Sequence, residues 1–141
     1  NDPTKLYYRE RLQKDGITDV IFTNYISRRD LECLYSAATA LLFPSYYEGF
    51  GFPVLEAMGN NCPVITSKAA SLPEVAGDAA IMFEPEDRRA LMDNMIRLTK
   101  SGPNSAERHA LIEKGRLQTQ KFSWESTAQK TIEVWTNLLR K

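Results

Sequence analysis

Two glutamates, Glu48 and Glu56, are separated by seven residues that include the run Gly49-Phe50-Gly51-Phe52-Pro53. Gly49 and Gly51 let a backbone turn tightly and approach a ligand closely. Pro53 lacks an N–H and has a preset φ, which suits a first helical position. The expected helix therefore runs from Pro53 to Met58 and stops at Gly59 and Asn60. Its N-terminus offers unpaired amides and partial positive charge, a fitting environment for a phosphate. Carboxylates flank that cradle, Glu48 on the loop and Glu56 about one turn into the helix. A bare phosphate gains nothing from such neighbours. A ligand with phosphates in its middle and hydroxyls at both ends does, and a nucleotide-sugar has that form.

The elements that must hold this loop alternate in type. The apolar run Ala40-Leu41-Leu42-Phe43 reads as a buried strand leading into it. Further strands are expected at Ile17 to Phe22, Pro63 to Thr66 and Ala80 to Phe83. Asp2 and Pro3 read as N-cap and first residue of a helix to about Asp15, stopped by Gly16, with Leu6, Tyr7 and Leu12 on its apolar side. Ser27 and Asp30 resemble a capping box for a helix bearing Leu31, Leu34, Tyr35 and Ala38 at helical spacing. Leu72 to Val75 is at most a short helix. Asp87 to about Thr99 is helical up to the break at Gly102-Pro103. Asn104 is expected to cap a helix to about Gln120. Ser123 caps the last one, whose buried side is Trp124, Ile132, Trp135 and Leu139. Strands alternating with helices indicate an α/β domain with a parallel sheet and helices on both faces. In such sheets ligands bind at the carboxyl ends of the strands, where the loop after Phe43 lies.

Composition narrows the function classes. The 141 residues suit a single domain, and 43% hydrophobic content is ordinary for a globular chain. Lys plus Arg equals Asp plus Glu at 18 each, so no net field favours nucleic acid. No run approaches the ~20 apolar residues of a membrane span. Cys33 and Cys62 lack metal spacing and read as reduced thiols, and His109 is the only histidine. His109 reads as a surface residue of a charged helix, which disfavours a histidine-based zinc site or a Ser-His-Asp triad. No Walker sequence or G-x-G-x-x-G is present.

The run Phe43-Pro44-Ser45, then Glu48 through Met58, resembles the signature of retaining glycosyltransferases of family 4. The likeness continues through Cys62 to Ser67, Ser71 to Ala80 and Phe122-Ser123-Trp124, and covers the chain from about Gly16 onward. It implies the C-terminal, nucleotide-sugar-binding half of a GT-B fold, a Rossmann-like sheet represented here by four of six strands. Residues 1–121 would form that partial domain. Residues 122–141 would be the C-terminal helix that in the family packs back toward the N-terminal domain. The chain reads as starting after the second strand of its half, without the N-terminal acceptor domain and without the family's basic diphosphate ligands. The fragment alone is then expected to be inactive.

The resemblance also implies roles. Glu48 would bind a donor-sugar hydroxyl and is the catalytic candidate. Gly49, Phe50, Gly51 and Phe52 would meet the sugar and the diphosphate through the loop, and Glu56 the ribose. The loop with Asn24 and Tyr25 would lie near the base. The expected partners are a nucleoside-diphosphate sugar and an acceptor that is a glycan, a lipid-linked molecule or a small molecule, with no cofactor, no metal and no nucleic acid. A cytoplasmic location is implied, with peripheral contact at the inner membrane surface through the absent domain. Two other readings compete. A non-catalytic nucleotide-sugar-binding or interaction module would keep the fold without turnover. A glycoside hydrolase would use Glu48 and Glu56 as its carboxylate pair, yet would not need an anion cradle between them.

Overall fold

A computed structural model describes residues 3–140. It contains two compact units, one ending at Asp30 and the other starting at Leu31.

The first unit holds helix α1, Pro3–Lys14. Gly16 ends it at φ +68°, with Ile17 N–H on the Leu12 carbonyl at 2.9 Å and Gly16 N–H on Gln13 at 3.2 Å. That bond pair is a Schellman stop, which favours glycine at the left-handed position. The proposed cap Asp2 lies outside the described residues. Residues 17–24 are irregular, so the strand expected at Ile17 to Phe22 is not formed. A lone extended segment gains no ladder bonds to offset its ordering entropy. Ile17, Val20 and Ile21 stay 48%, 44% and 90% exposed, and Leu6 and Tyr7 of α1 are exposed as well. What orders the segment is polar and cationic. Lys5 Nζ donates to the Thr23 carbonyl at 3.2 Å and to Asn24 Oδ1 at 2.7 Å. The Arg9 guanidinium lies 5.4 Å from the centre of the Phe22 ring.

Helix α2, Arg28–Ala37, begins where the capping box was read: Asp30 N–H donates to Ser27 Oγ at 3.2 Å. The Ser27 hydroxyl in turn donates to Asp30 Oδ2 at 2.7 Å. Tyr35 is buried and Leu31 and Ala38 are partly so, whereas Leu34 is exposed.

The second unit is built on three parallel strands in the order β1 (Leu41–Phe43), β2 (Val64–Ser67), β3 (Ile81–Phe83). Leu41 pairs with Val64 and Ile65 with Ile81. The sheet thus has three strands among the described residues, one fewer than expected. Every residue of β2 is buried, as a central parallel strand requires. Successive side chains point to opposite faces, and each face has its own core. Val64 packs with Val54, Ala57 and Met58 of α3 (Phe52–Gly59) and with Leu72 and Val75 of α4 (Leu72–Ala76). Ile65 and Phe83 pack with Leu98 of α5 (Arg88–Ser101) and Leu111 of α6 (Ala106–Thr119). Helices therefore cover both faces. Fully burying a side chain such as Leu72 or Ile65 contributes about 1.5–3 kcal/mol.

Asp87, read as the first residue of its helix, is its N-cap, and Ser123 caps the last helix as expected. Asp87 accepts the Ala90 amide at 2.9 Å and Ser123 accepts that of Ser126 at 3.0 Å. The cap of α6 is Ser105, which accepts from Arg108 N–H at 3.2 Å, and not Asn104. Gly102 and Pro103 consume the turn, so the extended backbone needed at a cap falls one residue later. Helix α7, Trp124–Leu139, has no buried residue. Trp124, Ile132, Trp135 and Leu139, expected on a buried side, are 74%, 55%, 64% and 88% exposed. An apolar stripe marks a side of a helix; burying it needs an opposing surface, and the only ring contact to it among the described residues is that of Phe52 with Trp124.

Candidate functional site

The loop between β1 and α3 leaves the carboxyl end of the sheet's edge strand, and three hydroxyls hold it there. Thr66 Oγ1, at the end of β2, donates to the Phe43 carbonyl at 3.0 Å. The neighbouring Ser67 hydroxyl donates to the Ser45 carbonyl. Ser71 Oγ lies 3.0 Å from the Glu48 carbonyl and 2.8 Å from that of Phe50. Its single proton is shared between those two acceptors. Ser71 occupies the N-cap of α4 yet makes no side-chain cap bond, because its hydroxyl serves the loop. The preceding Ala70 sits at φ +46°, a strained conformation that aims this hydroxyl.

Gly51 makes the turn possible. It caps α3 at φ +108°, and a Cβ there would stand 2.8 Å from Leu72 Cδ2 in the core. Gly49, expected to share this role, has ordinary φ and open space around its Cα. Helix α3 starts at Phe52, with Pro53 next as expected. Val54 N–H is taken by the Gly51 carbonyl at 3.0 Å. Among the described residues no acceptor takes the amides of Gly49, Phe50, Gly51 or Phe52. The helix extends through Gly59 and stops at Asn60, with Asn61 at φ +58° and Cys62 N–H on the Ala57 carbonyl at 2.9 Å. The stop is thus one residue later than expected, and asparagine takes the left-handed position.

Both carboxylates belong to this loop and helix. Glu48 is half-buried, and its Oε1 accepts the Ser45 hydroxyl at 2.9 Å. Glu56 is exposed, and its Oε2 lies 3.5 Å from the Tyr35 hydroxyl of α2. Burial first, and the Glu56 charge second, push the Tyr35 phenol above the usual tyrosine range. Asn24 and Tyr25 belong to the first unit, where Asn24 is held by Lys5 and Tyr25 is 96% exposed. Lys68, the residue after β2, pairs with Glu84 at 3.1 Å.

Aromatic rings brace the loop from the C-terminal side. Phe50 and Phe52 have centroids 4.7 Å apart, Phe122 meets Phe50 edge-on at 5.8 Å, and Trp124 lies along Phe52 at 6.4 Å. Two cavities among the described residues, of about 210 and 110 Å³, adjoin Thr39 at the amino end of β1 and include neither glutamate. They are gaps beside the Arg108 side chain and the α5 core, without a cluster of convergent ligand groups. No group of three His, Cys, Asp or Glu among the described residues is placed to hold a metal.

Sequence reading missed Tyr35, Ser45, Thr66, Ser67 and Ser71. Tyr35 stood in an apolar stripe, and its hydroxyl was the only sign of a second role. The hydroxyl run at the end of β2 was visible, but its partners lie over twenty residues away.

An amide-rich loop at the carboxyl edge of a parallel sheet, between two carboxylates, stands where open α/β sheets bind ligands. Comparison with known proteins gives the family. Residues 1–118 match the family of glycosyl transferases group 1. The chain belongs to this family, and its sheet is the C-terminal, Rossmann-like type of a GT-B glycosyltransferase. It is 38% identical over 114 residues to the O-antigen chain mannosyltransferase B of Escherichia coli, covering 81% of this chain and 29% of that protein. It is 34% identical over 146 residues to the MMP alpha-(1->4)-mannosyltransferase of Mycolicibacterium hassiacum, covering 100% of this chain and 34% of the relative. The solved sucrose-phosphate synthase of Thermosynechococcus elongatus superposes with a TM-score of 0.82 at 28% identity, over 99% of this chain and 37% of its own. The chain thus spans about a third of the length of these relatives. No helix among the described residues is long and apolar enough to cross a membrane.

Proposed function

We propose that this chain is the donor-binding part of a retaining, family 4 glycosyltransferase, which moves a sugar from a nucleoside-diphosphate sugar to an acceptor. The observation that carries this reading is the set of unpaired amides at Phe50, Gly51 and Phe52, at the start of α3 and between Glu48 and Glu56. The diphosphate sits against those amides. Cleavage of the bond from the anomeric carbon to the diphosphate oxygen leaves negative charge on the leaving group. Fixed donors and the N-terminal end of α3 stabilise that charge without reorganising. The sugar becomes oxocarbenium-like, the acceptor oxygen bonds the anomeric carbon on the face from which the diphosphate departs, and the acceptor's hydroxyl proton passes to the departing diphosphate oxygen. Glu48, steadied by Ser45, positions a donor-sugar hydroxyl and favours the developing cation. Glu56 accepts a ribose hydroxyl; charge-assisted bonds of this kind are roughly twice as strong as neutral ones. No metal or cofactor takes part in this scheme.

The mannosyltransferases among the relatives make mannose donors the first to test, with a glycan as the first acceptor class. A calorimetric screen of UDP-, GDP- and ADP-sugars against the full-length protein tests the reading. One donor should bind, and product analysis should give the donor's own anomeric configuration. Absence of any nucleotide binding would favour a non-catalytic module, and release of sugar from a simple glycoside would favour a hydrolase.

A further inference from the structure

We infer that Tyr35 is a positioning residue for the donor's ribose, acting through Glu56. The inference rests on the proposed role of Glu56. The tyrosine stands on α2, is 8% exposed and directs its hydroxyl to Glu56 Oε2 at 3.5 Å. Glu56 projects from α3 into solvent. A solvated glutamate samples several rotamers, and fixing it on ligand binding costs side-chain entropy. A donor rooted in the core limits that freedom before the ligand arrives. One carboxylate oxygen faces the phenol, which leaves the other free to accept from a ribose hydroxyl. Preorganisation of this kind appears as tighter binding without a new ligand contact.

Two features of the site support the assignment. The Tyr35 ring is fixed: it belongs to the core cluster that contains Val54, Ala57 and Met58 of α3, so α2 and the helix bearing Glu56 share one packing unit. The phenol also keeps its proton, because burial and the adjacent carboxylate both disfavour its ionised form. It is therefore a donor at any working pH. An apolar contact alone would have been served by phenylalanine, which would spare the core a hydroxyl.

The test uses the full-length protein with Tyr35→Phe, Glu56→Ala and the double variant. Dissociation constants are measured for UDP, GDP and ADP and for their 2′- and 3′-deoxyribose analogues, with Tm as a control for folding. Wild type should prefer one ribonucleotide over a deoxy analogue. Tyr35→Phe should weaken the ribonucleotide about fivefold, the scale of one ~1 kcal/mol hydrogen bond, and leave the matching deoxy analogue unchanged. In the Glu56→Ala background the same substitution should have no effect. Equal weakening of both ligands, or the same loss with and without Glu56, would overturn the inference and leave the donor reading intact. If wild type binds no nucleoside diphosphate, or binds ribo and deoxy forms alike, the reading of Glu56 fails and the role of Tyr35 fails with it.

Discussion

Replacing Gly51 with alanine should damage the site more than any other single methyl addition in the loop. Two costs combine. At φ +108° a residue with a Cβ is strained, by about 1–3 kcal/mol for such sparsely populated backbone. The new methyl would also stand 2.8 Å from Leu72 Cδ2, closer than van der Waals contact permits. Leu72 is fully buried and cannot withdraw, and overpacking of this kind costs about 1–3 kcal/mol. The sum, roughly 2–6 kcal/mol, is a large share of the ~5–15 kcal/mol that holds a typical domain. Relief by rotating the loop would re-aim the amides of Phe50, Gly51 and Phe52, so stability not lost should appear as lost affinity. Gly49→Ala is the control, because nothing lies within 4 Å of its added methyl and its φ is ordinary. Thermal unfolding and nucleoside-diphosphate titration of both variants decide. If Gly51→Ala matches Gly49→Ala in Tm and affinity, the reasoning about this turn is refuted.

Other outcomes follow from the same geometry. Glu56→Ala should weaken binding of the nucleoside diphosphate itself. Glu48→Ala should leave that affinity nearly unchanged and lower turnover of the nucleotide-sugar about 10²–10³-fold, the scale of losing one transition-state contact; equal losses for both ligands in both variants would remove this division of roles. Ser71→Ala should cost about 1 kcal/mol or more, since it unpairs carbonyls of Glu48 and Phe50, and should weaken diphosphate binding by several-fold. Denaturant titration with and without ligand measures both effects. Burial raises the Cys62 thiol, and burial with Glu56 raises the Tyr35 phenol. The folded state then keeps protons that the unfolded chain releases, so both contributions are full at neutral pH and fade as pH rises past ~8.5 and then ~10. A denaturation series from pH 7 to 11 should show that decline, with Tyr35→Phe flattening its upper part; stability rising with pH in that range would contradict the assignment.

The parts of the fold legible in the sequence were those fixed locally. The apolar run before Pro44, the glycines and Pro53 gave strand, turn and helix, because each acts through its own φ or its own missing N–H. The caps at Ser27 and Ser123 were legible for the same reason. What depends on a partner was not. Ile17 to Phe22 has the composition of a strand, but a strand exists only with a neighbour to bond. Trp124, Ile132, Trp135 and Leu139 have helical spacing, which fixes their common side and says nothing of what covers it. Gly49 and Gly51 looked equivalent until the position of Leu72 distinguished them. The hydroxyls of Ser67 and Ser71 reach across 21 to 23 residues to hold the loop, a relation that no local spacing encodes.

The central claim is that the amides at the start of α3 bind the donor's diphosphate. Backbone amide chemical shifts of the full-length, isotope-labelled protein test it most directly, recorded with and without the nucleoside diphosphate that binds best. The expected result is that Phe50, Gly51 and Phe52 shift most, and that Glu56→Ala reduces the ligand's affinity without moving the site. Saturated ligand with those three amides unchanged, and shifts gathered instead around Thr39 and Arg108, would contradict it.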